Sequence, residues 1–232
     1  MVLTTFLAKM IGESRMNTQQ LQKTMLFQGM TEAEVTEAIQ ILQAHEKRYK
    51  KGEILLIAGS VTEQMGLVLE GSVTIESNDA WGNRTIVSHV EKGQVFAETY
   101  ALLENEPLLV DVTASEDCLI LFLRSGRIQN LKTGVTPWTL KYIMNLLTIS
   151  THKNLILSGR SFHTAPKSIR GRVMAYLNSV SLQKHSREFD IPFDRQQLAD
   201  YLNLERSALS KELGKMQRDG LISCRKHHFV IL

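Results

Sequence analysis

The stretch DRQQLADYLNLERSALSKEL, residues 194–213, has the pattern of two short helices joined by a tight turn. Asp194 is a favourable N-cap for the first helix, and Asn203-Leu204 supplies a turn before a second helix that starts at Glu205. The second helix carries apolar residues at i, i+4 and i+7, which share one buried stripe: Leu209, Leu213 and Met216. The stretch therefore predicts a helix-turn-helix.

The opposite face of the second helix is polar. Because successive helical residues turn by about 100°, Ser207, Lys211 and Arg218 fall opposite the leucines, and Arg206 and Ser210 flank them. In a DNA-binding helix-turn-helix, such positions reach base edges in the major groove. The predicted DNA contacts are Arg195, Gln196, Arg206, Ser207, Ser210, Lys211 and Arg218. The alternative is an ordinary amphipathic helix pair with a solvated face.

The segments beside this motif favour a small basic domain. Residues 219–232 contain a glycine stop, an apolar run, a basic turn and a second apolar run, as in a winged hairpin. Apolar residues alternate with other residues over positions 189–193, as they do in a short edge strand. Residues 160–232 hold 13 Lys and Arg against 7 Asp and Glu, whereas residues 1–159 hold 14 against 17. This asymmetry is typical of a phosphate-binding module attached to a regulatory module.

From about Tyr49 to Arg124 the pattern changes to short apolar runs separated by turn residues, many of them glycine. Many short strands with regular glycine turns predict a β-roll, a jelly-roll or double-stranded β-helix. Before the roll, Thr31 and Glu34 form a capping box at the start of a helix. The predicted fold class is α+β.

A long helix is predicted after the roll, because Thr136-Pro137 is a favourable helix start and Gly159 a favourable stop. Residues 140, 143, 147, 150, 154 and 157 recur along it at alternating intervals of three and four positions, which is the spacing of a coiled-coil seam. The predicted dimer interface is Leu140, Ile143, Leu147, Asn154 and Leu157. A second face is expected to lie against the roll: Met144, Leu146, Ile149 and Leu155. A single buried helix with two apolar stripes is the alternative.

Length and composition fit two domains, and the predicted divisions are a 1–24 extension, a 25–135 sensor domain, a 136–160 dimerisation helix and a 161–232 winged helix-turn-helix domain.

No run approaches about 18 apolar residues and no signal-peptide core is present, so we expect a cytoplasmic protein without membrane contact. The cysteines, Cys118 and Cys224, are too far apart to indicate a disulfide framework or a thiolate metal site. Because no serine-hydrolase, phosphate-loop or zinc-protease motif occurs, no enzyme is predicted.

The order of a glycine-punctuated roll, a long helix and a winged helix-turn-helix resembles the Crp/Fnr family of bacterial transcription regulators over residues 25–232. The matching segments are residues 51–53 with Gly59, 69–73, 93–98, 195–199 and 221–222. The resemblance implies a homodimeric regulator, an activator, that binds a double-stranded DNA operator and a small-molecule effector. It also implies that residues 182–188 contact RNA polymerase, although their polar sequence is equally that of a solvated loop.

The chain departs from the cyclic-nucleotide-binding members of this family. Those members carry Gly-Glu followed, about ten residues later, by an arginine and a hydroxyl residue that hold the cyclic phosphate. Here Ala97-Glu98 keeps only the acid, and Leu108-Leu109 stand in place of the arginine and the hydroxyl. An anion buried without a charged partner costs several kcal/mol, so cyclic AMP is not the expected effector. The predicted pocket is Glu98, Leu108, Leu109, Thr148 and Ile149, an apolar site for an unknown effector, and a constitutive regulator with a leucine-filled pocket is the alternative.

Other sensor chemistries find little support. An iron–sulfur cluster needs about four cysteines, more than the chain has. Haem needs an axial ligand, for which His89 or His152 are candidates, but a lone histidine is more often an ordinary hydrogen-bonded side chain. We therefore predict no cofactor and no metal. The adjacent pair His227-His228 is expected to contact phosphate, since neighbouring residues do not converge on one ion.

The resemblance assigns roles only in part to the DNA-binding residues. Arg206 matches the family's basic type, whereas Ser207 replaces a glutamate and Lys211 replaces an arginine. Arg195 matches a phosphate contact at the start of the first helix.

Overall fold

A computed structural model describes residues 17–78, 84–103, 105–130 and 136–232. The chain divides into two compact units, Met1–Ile149 and Ser150–Leu232. The helices are α1 (Thr18–Gln22), α2 (Glu32–Ile41), α3 (Glu98–Leu103), α4 (Pro137–Thr164), α5 (Ile169–Lys184), α6 (Arg195–Tyr201) and α7 (Arg206–Arg218), with 3-10 turns at Met25–Phe27 and Ser125–Asn130. The strands are β1 (His45–Tyr49), β2 (Ile54–Leu56), β3 (Met65–Glu70), β4 (Val73–Asn78), β5 (Arg84–Val90), β6 (Val95–Phe96), β7 (Asp111–Ala114), β8 (Cys118–Leu123), β9 (Glu188–Asp190), β10 (Ile222–Arg225) and β11 (His228–Ile231).

The first unit contains the predicted roll. Two antiparallel four-stranded sheets have the strand orders β1-β8-β3-β6 and β2-β7-β4-β5. Strand β8 is buried along its whole length, as its continuous apolar sequence requires. With the helical second unit, this arrangement confirms the α+β prediction.

Aromatic rings occupy the interior of the roll. The ring centroid of Phe122 lies 6.3 Å from those of both Tyr49 and Phe96. Phe96 in turn lies over Gly66, its partner across the β3–β6 ladder. A Cβ atom on Gly66 would stand 2.1 Å from Cζ of that ring, so the ring fits only because residue 66 has no side chain.

Helix α4 begins at Pro137 as predicted but packs differently from the expectation. The buried residues Trp138, Tyr142, Leu146 and Ile149 form one face and join the core cluster around Leu26 and Phe27. The assignment of Met144 and Leu155 to this face was wrong, because their side chains are 52% and 71% exposed. They lie about 200° round the helix from Trp138 and its neighbours.

The end of α4 also differs from the prediction. The helix passes through Gly159 and ends at Thr164. A glycine inside a helix costs only about 1 kcal/mol relative to alanine, whereas Pro166 restricts the residue before it to extended conformations. Pro166 is therefore the stronger stop.

The second unit packs α5, α6 and α7 around one apolar cluster. Its sheet has the order β10-β11-β9, which confirms an edge strand beside the wing, although the strand spans residues 188–190 rather than the predicted 189–193. Helix α5 continues to Lys184 and is capped by His185 in the left-handed conformation. The predicted loop 182–188 is thus shorter than expected, because its first three residues belong to the helix and Glu188 belongs to β9.

No helix within the described ranges is long and apolar enough to cross a bilayer.

Candidate nucleic-acid interface

Helix α6, the first helix of the motif, is set by its N-cap. The Asp194 carboxylate accepts from the Gln197 amide at 2.8 Å, and the Gln197 side chain accepts from the Asp194 amide at 2.9 Å. This reciprocal capping box satisfies two amides that have no partner within the helix. Leu198 and Ala199 are fully buried, so α6 presents one apolar face to the core of the second unit.

The second helix, α7, starts one residue later than predicted, because Glu205 is its N-cap. The Glu205 carboxylate accepts from the amides of Ser207 and Ala208, both at 2.8 Å. These bonds, led by the one from the Ser207 hydroxyl, hold the pKa of the Glu205 carboxyl below its usual range. This capping role was not predicted, because glutamate is not among the residues favoured at an N-cap, although its negative charge is favourable at the N-terminus of a helix.

The two faces of α7 separate as predicted. Its buried stripe consists of Leu209, Leu213 and Met216. The exposed side chains include every predicted contact on this helix: Arg206, Ser207, Ser210, Lys211 and Arg218. The buried stripe therefore anchors the helix, and its basic and hydroxyl groups are exposed to solvent.

The two predicted contacts on α6 differ from each other. Gln196 is exposed and donates through Nε2 to Asp200 at 2.8 Å. Arg195 is half-buried, with its guanidinium 5.3 Å from the centre of the Phe229 ring and 3.4 Å from Sγ of Cys224. Arg195 thus fastens α6 to the wing sheet, a role that the sequence pattern did not indicate.

Two arginines hold the turn between the motif helices, and we call them the turn clamp. Arg160 on α4 donates to the carbonyl oxygens of Tyr201 and Asp200 at 3.0 and 3.1 Å, and to Oδ1 of Asn203 at 3.2 Å. Arg172 on α5 donates to the Asn203 carbonyl at 3.0 Å. The last carbonyl groups of a helix have no internal partner, so the turn clamp satisfies acceptors that would otherwise need water.

The wing places its two adjacent histidines differently. His227 is exposed in the turn, whereas His228 on β11 lies 2.9 Å from Oδ1 of Asp190 and 3.2 Å from Oε1 of Glu188. The hydrogen bond to Asp190 and the two carboxylates raise the pKa of His228. The expectation that His228 contacts phosphate is not supported, because two acids on the neighbouring strand already occupy its ring nitrogens.

The residues predicted to line the effector pocket differ in their exposure and in their contacts. Glu98 and Leu108 are buried, but the Leu109 side chain is 75% exposed. Thr148 is exposed and donates its hydroxyl to the Met144 carbonyl of its own helix. Ile149 belongs to the core cluster around Phe27 rather than to the roll interior.

Another cavity lies outside this predicted set. A groove of about 580 Å³ runs between α1 and the turn before β6, and Gln20, Lys23, Leu69, Lys92 and Gly93 are among its lining residues. Its position beside α1 could not be foreseen from the sequence, since it depends on how that helix packs on the roll.

Neither candidate haem ligand lies in an enclosed site. His89 on β5 and His152 on α4 are both exposed. Among the described residues, no three acidic, histidine or cysteine side chains cluster closely enough to hold a metal ion.

The predicted seam of α4 is exposed on the single chain. Leu140, Leu147 and Leu157 each expose more than half of their surface, and Ile143 exposes 41%. Met144 and Leu155 extend the same surface. We call this set the α4 apolar face. Exposed apolar side chains spaced in this way along one helix are typical of a helix that pairs with a partner.

Two protein families match the chain. Residues 46–133 match the cyclic nucleotide-binding domain, and residues 171–232 match the Crp-like helix-turn-helix domain. The CRP-like protein Clp of Xanthomonas oryzae pv. oryzae is 22% identical over 191 residues, covering 80% of this chain and 83% of that protein. The transcriptional activator protein FnrL of Cereibacter sphaeroides is also 22% identical over 191 residues, covering 80% of this chain and 75% of that protein.

Solved structures share the fold. The c-di-GMP responsive global regulator CLP of Xanthomonas campestris matches with a TM-score of 0.56 at 18% identity, over 84% of this chain and 98% of that one. CprK in complex with OCPA matches with a TM-score of 0.58 at 11% identity, over 85% of this chain and 90% of that one.

Proposed function

Because the chain belongs to the Crp/Fnr family of DNA-binding transcription regulators, we propose that it acts as a homodimeric activator that responds to a small effector other than cyclic AMP. In this proposal residues 25–135 sense the effector, residues 136–160 form the dimer and residues 161–232 bind the operator in the cytoplasm. Residues 1–24 receive no role.

The observation that carries the DNA-binding part is the exposed face of α7 above its buried leucine stripe. Arg206 and Lys211 offer donors suited to guanine, and Ser207 and Ser210 offer hydroxyl groups. Gln196 and Arg218 lie at the margins of this surface and are suited to the sugar-phosphate backbone. Arg195 fulfils a phosphate-contacting role only with the part of its guanidinium that the wing leaves free.

The α4 apolar face supports the dimer. Two copies related by a two-fold axis would bury this face and direct their α7 helices into successive major grooves, about 34 Å apart. Asn154 within the seam is suited to fixing the register of a parallel pair. RNA polymerase is proposed to contact the surface around residues 182–188, where Leu182 is exposed.

The chemistry of the effector is inferred from the residue that replaces the phosphate-binding arginine. The relative from X. campestris is described as responsive to c-di-GMP, and CprK is described in complex with OCPA. In this chain Leu108 stands where a cyclic phosphate would need an arginine, so we propose an uncharged or weakly polar effector. The aromatic filling of the roll interior specifically favours the second candidate, a constitutive regulator without an effector.

A gel-shift titration against genomic fragments at two salt concentrations tests the DNA-binding part. We expect Arg206→Ala and Lys211→Ala each to lose about 1–3 kcal/mol of sequence-specific affinity while non-specific binding changes less. Lys51→Ala removes the same charge from an exposed site on the roll and serves as the control. Full discrimination between operator and random DNA in Arg206→Ala would refute the assignment of α7.

Activation is tested separately, by transcription from an operator-bearing promoter with purified RNA polymerase. We expect transcription to rise when the protein is added. A fall would make the protein a repressor and remove the reason to assign a polymerase contact.

A further inference from the structure

The first turn of α7 contains a hydrogen-bonded pair formed by Glu205 and Ser207. The Ser207 hydroxyl donates to Oε2 of Glu205, while the Ser207 amide donates to Oε1 of the same carboxylate at 2.8 Å. The Ala208 amide donates to Oε2 at 2.8 Å and fixes the carboxylate from a second direction. The side chain of Ser207 is therefore held in place by its own helix, at an exposed position.

This pairing decides which hydrogen bonds Ser207 can offer to a ligand. A serine hydroxyl has one proton to donate and two lone pairs that accept. Because its proton is directed to Glu205, the oxygen that remains exposed is an acceptor. A bond to an ionised acceptor is roughly twice as strong as a neutral one, so turning the proton toward a neutral base would exchange a strong partner for a weaker one.

The major-groove edges of the bases differ in the same property. Cytosine and adenine present an exocyclic amino group that donates, whereas guanine and thymine present carbonyl oxygens that accept. An acceptor-only oxygen facing guanine O6 or thymine O4 would place two acceptors against each other. The neighbouring carboxylate of Glu205 adds to that repulsion, because its pKa is held low and it remains charged at neutral pH.

We infer that Glu205 and Ser207 together select a base with a major-groove amino group, cytosine or adenine, at one position of each operator half-site. Ser207 makes the contact, and Glu205 is a positioning residue that sets its polarity. This inference rests on the proposed DNA-binding function of α7 and specifies part of its sequence preference.

Selection of duplexes from a random-sequence library by the full-length protein tests the inference. For the wild type we expect one half-site position at which cytosine or adenine is preferred about five- to tenfold, the low end for a direct base contact. Ser207→Ala should reduce the preference at that position to less than twofold and leave the others unchanged. Alanine is a strong helix former, so the first turn of α7 should persist.

Glu205→Ser is the decisive variant. Serine is a favoured N-cap and preserves the start of the helix, but its short side chain removes the carboxylate that orders the Ser207 proton. We expect the preference at the same position to widen to include guanine or thymine, while the position read by Arg206 keeps its base. Ser88→Ala, which removes a serine hydroxyl from the roll, is the matched control and should select the wild-type sequence.

The outcomes are distinguishable. If the wild type selects no sequence, the proposed function itself fails. If it selects a sequence but Ser207→Ala selects the same one, the inference is overturned and the function stands. A Ser207-dependent preference for guanine or thymine, or an unchanged preference in Glu205→Ser, would equally overturn it.

Discussion

Replacing Arg160 of the turn clamp by alanine should destabilise the second unit. The guanidinium donates to two backbone carbonyl oxygens and to Oδ1 of Asn203, at 3.0 to 3.2 Å. Hydrogen bonds that involve a charged group contribute about 1.5–3 kcal/mol each when water cannot replace them. Here Arg160 is only half-buried and water can reach the released carbonyls, so we expect a net loss of about 2 kcal/mol rather than the full sum.

Native-state hydrogen exchange of peptides from residues 195–218 measures this loss directly. A loss of about 2 kcal/mol corresponds to about 30-fold faster exchange of the protected amides. Arg160→Lys should recover less than half of it, because an ammonium group cannot donate along several fixed directions at once. Lys167→Ala, an exposed cation in the same unit, should stay within about 0.5 kcal/mol of wild type. Exchange in Arg160→Ala within threefold of wild type would refute the clamping role.

Three further predictions follow from the structure. Leu147→Lys places like charges in the proposed dimer interface and should give a monomer by light scattering, whereas Leu109→Lys, at a more exposed leucine on the roll, should stay dimeric. A dimer of Leu147→Lys would remove the α4 apolar face as the interface. Because the pKa of His228 is raised, its ion pairs stabilise the wing fully below about pH 6.5, and this contribution is lost as the pH rises through the raised pKa. The free energy of unfolding measured in urea should therefore fall with rising pH in that range, and His228→Gln should not show this fall. Calorimetry with cyclic AMP should show no binding, and micromolar affinity coupled to stronger operator binding would contradict the exclusion drawn from Leu108.

Local signals in the sequence proved the most reliable. The capping box at Thr31 and the N-cap at Asp194 depend only on nearby residues, and both are present in the structure; the reciprocal bond from Gln197 at Asp194 was not predicted. The buried stripe of α7 also followed from helical periodicity alone.

Features that depend on distant partners could not be predicted. Helix α4 carries more than one apolar stripe, and periodicity does not say which stripe meets the core; the large side chains of Trp138 and Tyr142 were decisive. The turn clamp joins residues 31 to 43 positions apart, and the pairing of His228 with Asp190 depends on strand register. For the same reason the adjacent leucines at 108 and 109 could not be told apart, although one is buried and the other exposed.

The close fit between Gly66 and Phe96 has a consequence for how this protein diverges from its relatives. Since no side chain fits between residue 66 and the ring, a larger side chain at position 66 requires a smaller one at position 96. We expect the two sites to covary among homologues, with a larger residue at 66 accompanied by a smaller one at 96. The Phe96 ring fills the middle of the roll. Two substitutions, a smaller residue at 96 and a larger one at 66, would therefore be enough for a homologue to gain space for a ligand inside the roll, and the reverse pair would remove that space.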